Sequence, residues 1–364
     1  MDRSKWEYKK LSDVSDIIMG QSPSSDSYNE DGKGLPFYQG NADFGELYPT
    51  ARVYCDAPSR EADTDDILMS VRAPIGAINI ANEHCCIGRG LCAIRPIPKV
   101  SDKMFLFYFL RAKNVFLNSQ GTGSTFKSIS KKVVYDLDIP MPSFADQQRI
   151  VAELDCLNEM IVVKQEQLKE FDKLAQSIFY DMFGDPASNE KGWGKLKMKD
   201  ICEIIAGGDK PDNLSDIKTD DYCYPVIANG EGDKGILGYS RTRRVVKDSV
   251  TIGARGASIG NCRIVYGGFT PVVRLISLTP NDQVNCIYLY YFAKQMPYFS
   301  TGAGQAQLTV PNVKMVTIPL PPLSLQQQFA EKIQAIEAQK ELVKQSIAET
   351  QHLLDYTMDK YFNE

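Results

Sequence analysis

Two stretches of the chain repeat apolar residues at alternating intervals of four and three. In the first, Ile150, Leu154, Leu157, Ile161, Lys164, Leu168, Phe171, Ala175, Ile178 and Met182 keep this spacing without a break. In the second it runs through Phe329, Ile333, Ile336, Lys340, Val343, Ile347, Thr350, Leu354, Thr357 and Tyr361. A sustained 3.5-residue period is the seam of a coiled coil, not only the inner face of a surface helix. Both stretches contain almost no Gly or Pro, and each follows a proline-bearing segment, with Ser143 and Ser324 placed to cap the helices. Gly184, ahead of Asp185-Pro186, ends the first helix. The remaining segments, 5–142 and 192–321, are rich in β-branched and aromatic residues broken by Gly, Pro, Asn and Asp. They predict short strands and turns, with a helix over 102–113 and another over 284–295.

The pattern occurs twice because the chain is an internal repeat. Trp6-Glu7-Tyr8-Lys9-Lys10-Leu11-Ser12-Asp13-Val14 is answered by Trp193-Gly194-Lys195-Leu196-Lys197-Met198-Lys199-Asp200-Ile201, and both run on to an Ile-Ile pair and a glycine. Ile75-Gly76, Gly121-Thr122-Gly123 and Ile139-Pro140-Met141-Pro142 have counterparts in Ile259-Gly260, Gly302-Ala303-Gly304 and Ile318-Pro319-Leu320-Pro321. The helix leaving the first globular part delivers the chain to the second, and the helix leaving the second must run back. The expected fold is therefore α+β: two pseudo-symmetric α/β heads, 1–143 and 185–322, joined by a long antiparallel two-helix coiled coil of 144–184 and 323–364. At ~1.5 Å per residue such a rod is ~55 Å long.

A net charge of −5 argues against a nucleic-acid partner until it is divided along the chain. Residues 1–145, 146–190, 191–323 and 324–364 carry −1, −6, +5 and −3. The acid sits on the helices, as the solvated face of a coiled coil would, and the second head is basic. No apolar run approaches the ~18 residues of a membrane span, and the N-terminus lacks the apolar core of a signal peptide. With an odd count of nine cysteines and no Cys-x-x-Cys pair, the sequence predicts a soluble cytoplasmic protein without a disulfide framework or metal site. Cys85-Cys86 beside His84 reads as a pair of small buried thiols.

Groups for catalysis are scarce. The chain has no phosphate-cradling Gly-x-x-x-x-Gly-Lys-Ser/Thr loop and only two histidines, His84 and His352. What it does have is an order of short motifs. Trp-x4-Leu/Met-x-Asp, Asp66-Ile67-Leu68-Met69-Ser70-Val71-Arg72, Gly121-Thr122-Gly123-Ser124-Thr125, then Ile139-Pro140-Met141-Pro142 with Gln147-Gln148 and a long helix resemble the DNA specificity subunit of type I restriction–modification enzymes. In the second half Leu325-Gln326 and Gln305-Ala306-Gln307 depart from the pattern of the first.

The resemblance implies that each head is a target-recognition domain reading one half of a bipartite site in double-stranded DNA. The helices would act as spacer and as dock for two methyltransferase subunits carrying S-adenosylmethionine, with motor-nuclease restriction subunits completing the enzyme. No cofactor is expected in this chain. Base edges are read best by Arg or Lys on guanine and by Asn or Gln on adenine, from loops where glycine lets backbone approach DNA. Head one then offers Gln39, Asn41, Arg72 and the run Ser124, Thr125, Phe126 and Lys127. Head two offers Asn229, Lys234, Arg255, Gln305 and Gln307, with Arg241, Arg243 and Arg244 on an exposed strand as phosphate clamps. The competing role for Arg72 and Arg255 is to tie down the turn before Ile-Gly, and for Asn41 and Asn229 to cap a turn. Two other functions compete with DNA recognition. A self-contained modification enzyme would bind S-adenosylmethionine unaided, and a scaffold with two protein-binding heads would show no salt-dependent affinity for DNA.

Overall fold

The structure, a computed structural model, describes residues 3, 6–123, 127–230, 235–256, 259–296 and 308–363. The chain forms two compact units, Met1–Gln165 with Gln345–Glu364, and Glu166–Lys344. Each unit combines one head with halves of both long helices, so the units cut across the helices instead of ending at them.

The heads share one plan. In the first, strands Ser15–Met19, Leu91–Pro96, Ile67–Ser70 and Ile78–Ile80 lie side by side in that order, all antiparallel. In the second, the order is Cys202–Ala206, Leu275–Pro280, Ser249–Gly253 and Cys262–Val265, again all antiparallel. Ile67–Ser70 and Ser249–Gly253 are buried along their whole length; Ile67-Leu68-Met69 reads as an apolar run, while the buried hydroxyls of Ser249 and Thr251 donate to the carbonyls of Lys247 and Arg263. The expected head helices form at Lys103–Ala112 and Cys286–Gln295. Asp102 caps the first by accepting from the amides of Met104 and Phe105, and Asn285 caps the second by accepting from that of Ile287.

The Ile-Pro-x-Pro motif closes each head. Asp138–Met141 pairs with Glu7–Lys10, Tyr8 opposite Pro140, and Thr317–Pro319 pairs with Lys195–Lys197, Leu196 opposite Ile318. Prolines are tolerated because these are two-stranded edges. The chain then enters a spacer helix: Phe144–Phe183 after head one, Leu323–Phe362 after head two, 40 residues each. Ser143 caps the first, accepting from the Asp146 amide at 3.2 Å and donating to its carboxylate at 2.9 Å. Ser324 does not cap the second. That helix begins at Leu323, with the Pro322 carbonyl accepting from the Leu325 and Gln326 amides, because Pro322 stands where the first half has Ser143, and Ser324 lies already inside the helix.

The seams meet antiparallel within each unit. In the first, Glu153 accepts from the Tyr361 hydroxyl at 2.6 Å and Lys164 donates to the Thr350 hydroxyl at 2.8 Å. In the second, Lys340 bonds Asp172 at 2.8 Å, and the rings of Phe183 and Phe329 lie 5.2 Å apart. Every seam residue is buried or half-buried, and the two lysines keep their ammonium groups partnered. Phe179, Phe183, Met358 and Phe362 are buried as well, although the 4-3 spacing leaves them out. Near their ends the helices are enclosed by a head and not by one partner helix, so a wider face is covered.

Each head also receives the end of a spacer helix at its opening tryptophan. The Trp193 indole donates to the Phe183 carbonyl at 3.0 Å, and the Trp6 ring stacks on Tyr361 at 6.3 Å. Gly184, at φ +75°, turns the chain out of the first helix in the left-handed conformation that favours glycine. No helix among the described residues is long and apolar enough to cross a membrane.

Candidate nucleic-acid interface

Beside its four-stranded sheet each head carries a second one, of five strands in head one and three in head two, and there two strands run parallel. Phe37 faces Cys86 where Leu35–Tyr38 meets Cys85–Ile87, and Val226 faces Thr270 where Tyr224–Ile227 meets Thr270–Pro271. Parallel strands release their chains at the same edge, so the loops that follow must lie together.

In head one these loops are 39–43 and 88–90. The Gly88 amide donates to the Tyr38 carbonyl at 2.8 Å, and a Cβ on Gly90 would stand 2.3 Å from the Gln39 carbonyl oxygen, an approach that only glycine permits. The turn carrying Arg72 joins them, because the Val71 amide donates to the Gly90 carbonyl at 2.9 Å. Lys127 is drawn in as its carbonyl accepts from the Ala73 amide at 3.0 Å. The result is a cleft of about 460 Å³ lined by Gln39, Asn41, Arg52, Arg72 and Arg89. Buried Asp43 anchors its floor, accepting from the Gln39 amide at 2.8 Å and from the Arg52 guanidinium at 3.0 Å. Arg52 is thus committed to Asp43. Arg72, Arg89 and Lys127 are exposed, with no carboxylate partner among the described residues.

Head two repeats the convergence with different side chains. The Val272 amide donates to the Ile227 carbonyl at 2.8 Å, and the Ala254 amide to the Arg274 carbonyl at 2.8 Å. Asn229 spends an amide hydrogen on the Arg255 carbonyl at 3.0 Å, tying the two loops, and Arg263 donates to the Gly230 carbonyl at 3.0 Å. Arg255 and Arg274 point to solvent beside them. Arg274 has φ +69°, a strained conformation for a residue with a Cβ, in the turn that corresponds to Gly88–Gly90 of head one.

The arginine triplet lies in the turn after strand Ile236–Ser240 and not on a strand as expected, because pairing ends at Ser240, whose hydroxyl folds back onto the Thr242 carbonyl. Arg241 covers the Tyr222 ring at 4.7 Å and stands 3.6 Å from Asp221, and Arg243 covers Tyr224 at 4.8 Å. Arg244 packs over Gly208. Stacking orders these guanidinium groups while leaving their charge exposed. Ser124, Thr125, Lys234, Gln305 and Gln307 lie outside the described residues.

The structure therefore brings Gln39, Asn41, Arg72 and Lys127 to one place, and Asn229 and Arg255 to another. Reading motifs missed Arg52 and Arg89 in head one and Arg263 and Arg274 in head two. Arg89 could have been suspected from its two flanking glycines, whereas nothing local distinguishes Arg274. The vicinal cysteines belong elsewhere: burial pushes the Cys85 thiol up to about 12 and the Cys86 thiol up to about 11, which keeps both protonated near neutral pH. No His/Cys/Asp/Glu group among the described residues is arranged to hold a metal ion.

This doubled arrangement has relatives. The type I restriction modification DNA specificity domain matches the chain twice, over residues 3–171 and 190–352. A putative type I restriction enzyme specificity subunit from Methanocaldococcus jannaschii is 39% identical over 175 residues, which is 48% of this chain and 41% of that protein. A putative type I specificity subunit from Mycoplasma pneumoniae is 26% identical over 88% of this chain and 86% of its own length. The fold is shared with a chain from a structural study of assembly and conformational transition in a type I R-M system, with TM-score 0.65 and 20% identity over 98% of this chain and 97% of that one. It is shared too with the S subunit of a type I restriction-modification system from M. genitalium, with TM-score 0.57 and 16% identity over 99% and 96%. Two heads of one plan, each matched by the same domain, leave a single assignment: the chain belongs to the type I restriction modification DNA specificity family.

Proposed function

We propose that each head reads one half of a bipartite site in double-stranded DNA through its three-loop cluster. The observation that carries this reading is the recurrence of the cluster. At the same edge of the second sheet, both heads present exposed guanidinium groups, Arg72 and Arg89 in one and Arg255 and Arg274 in the other, on loops locked by main-chain hydrogen bonds. A guanidinium held on a rigid loop suits bidentate readout of guanine in the major groove. Gln39 and Asn41 supply amides suited to adenine, and Asn229 and Arg263 hold their loop in place. Arg241, Arg243 and Arg244 bind phosphate and contribute affinity without sequence preference.

The spacer helices set the distance between half-sites and dock two methyltransferase subunits. Those subunits bring S-adenosylmethionine, and motor-nuclease subunits complete the cytoplasmic restriction complex. This chain supplies recognition and no catalytic group.

The experiment is methylome sequencing of a host carrying the chain and its methyltransferase. Arg89→Ala should relax one position in the half-site read by head one, and Arg274→Ala one position in the other, each at a cost of about 1–3 kcal/mol per lost bidentate contact. Arg243→Ala should weaken binding to all sequences and flatten the salt dependence. A substitution in one head that altered both half-sites equally would refute the reading.

A further inference from the structure

Each spacer helix is fastened to its head by one buried glutamine. Gln147, 1% exposed, sits in the first turn of helix Phe144–Phe183. Its side-chain oxygen accepts from the Asp102 amide at 2.8 Å, and its NH2 donates to the carbonyls of Val100 at 3.0 Å and Pro142 at 3.1 Å. Gln326, fully buried in the first turn of Leu323–Phe362, does the same. It accepts from the Asn285 amide at 2.8 Å and donates to the carbonyls of Gln283 at 3.3 Å and Pro321 at 2.8 Å.

The three partners of each glutamine are main-chain atoms at two distinct places. One is the chain entering the head helix, at the residue that caps it, and the other is the proline that delivers the chain to the spacer. A buried amide with both donors and its acceptor engaged has one orientation, since any rotation strands a buried polar group. The surroundings differ between the halves: Asp102 against Asn285 at the cap, Ser143 against Pro322 at the spacer start. The staple is nevertheless bond for bond the same.

We infer that Gln147 and Gln326 are positioning residues that hold each head at a fixed angle to its spacer helix, and so restrict the enzyme to one length of unread DNA between half-sites. The inference rests on the two-half-site reading above. A head free to pivot at this root would carry its reading loops along the duplex while leaving their chemistry intact. Spacer selectivity would then fall, and base preference within each half-site would not.

The test is the methylome of the assembled enzyme carrying Gln147→Met or Gln326→Met, which keep the length of the side chain and remove all three hydrogen bonds. Both half-site sequences are expected to stay unchanged, while methylation at sites with spacers one base pair longer or shorter rises about tenfold relative to the parent. If either variant yields no soluble complex, Gln147→Glu or Gln326→Glu, which retain the acceptor, should show the same broadening. An unaltered spacer distribution in folded variants would overturn the proposal, as would a changed base preference within a half-site. Absence of bipartite methylated sites in the parent would instead defeat the two-half-site reading itself.

Discussion

Head one and head two solve one packing problem with different chemistry. Where head two meets the spacer helices, Phe179, Phe183, Tyr288, Tyr291 and Phe329 form a nest of rings with centroids 4.8 to 6.1 Å apart. The corresponding region of head one is half polar. The Tyr108 hydroxyl donates to Asp155 at 2.5 Å and accepts from the Asn158 amide at 2.9 Å, and Phe105 and Phe109 pack on Phe362 at 5.3 and 5.9 Å. Sheet order, the proline-bearing closing strand and the buried glutamine are common to both. The frame is thus constant, while the filling varies wherever volume and hydrogen bonding can be satisfied in more than one way.

The comparison breaks most sharply at Phe329, which touches Phe179, Phe183 and Tyr291. Phe329→Ala should destabilise the second unit by about 3–5 kcal/mol through lost burial and a residual cavity. Hydrogen exchange should then show amides in Ser249–Gly253 losing protection well before those in Ile67–Ser70. Equal loss in both units would mean that the two cores do not act separately. A smaller effect is expected at the polar latch. Tyr108→Phe leaves Asp155 and the Asn158 amide without their hydroxyl partner, at a cost of about 1–2 kcal/mol in denaturant unfolding, confined to the first unit.

The smallest expected effect is one that only head one can show. His84 bonds Asp63 through Nδ1 at 2.8 Å and Glu61 through Nε2 at 2.9 Å. Its slight burial pulls the imidazole pKa down, but the hydrogen bonds and charges of Glu61 and Asp63 outweigh this and leave it raised above 6.5. A raised folded-state pKa contributes stability that is fully present below the unfolded value and is lost as pH rises through the folded one. The stability difference between the parent and His84→Gln should therefore be largest below about pH 6.5 and shrink at higher pH. Denaturant titrations across that range decide it. A difference that grew with pH would show that the imidazole is not held as a cation between the carboxylates.

Much of this architecture is legible in the sequence because it is encoded locally. The 4-3 spacing from Ile150 to Met182 and from Phe329 to Tyr361 specifies a seam within each helix, and the repeat of Trp6 at Trp193 and of Ile139-Pro140 at Ile318-Pro319 specifies two heads of one plan. Antiparallel pairing follows from connectivity. The start of the second helix departs from that pattern: Pro322 holds the place that Ser143 holds in the first half, so Ser324 falls inside the helix and caps nothing.

The loop clusters proposed to read DNA are of another kind. Gln39, Arg72 and Arg89 are separated by 33 and 17 residues, and they meet because Leu35–Tyr38 pairs with Cys85–Ile87 and Val71 bonds Gly90. Arg255 and Arg274 meet only because the Ala254 amide bonds the Arg274 carbonyl. A periodicity is a property of one segment and survives in the linear order of residues. The edge at which two distant strands release their loops is set by sheet register, which becomes definite only when the strands pair. The sequence by itself thus determined the repeat, the seams and the family, whereas tertiary pairing alone decided which arginines share a loop cluster and which are spent on holding it.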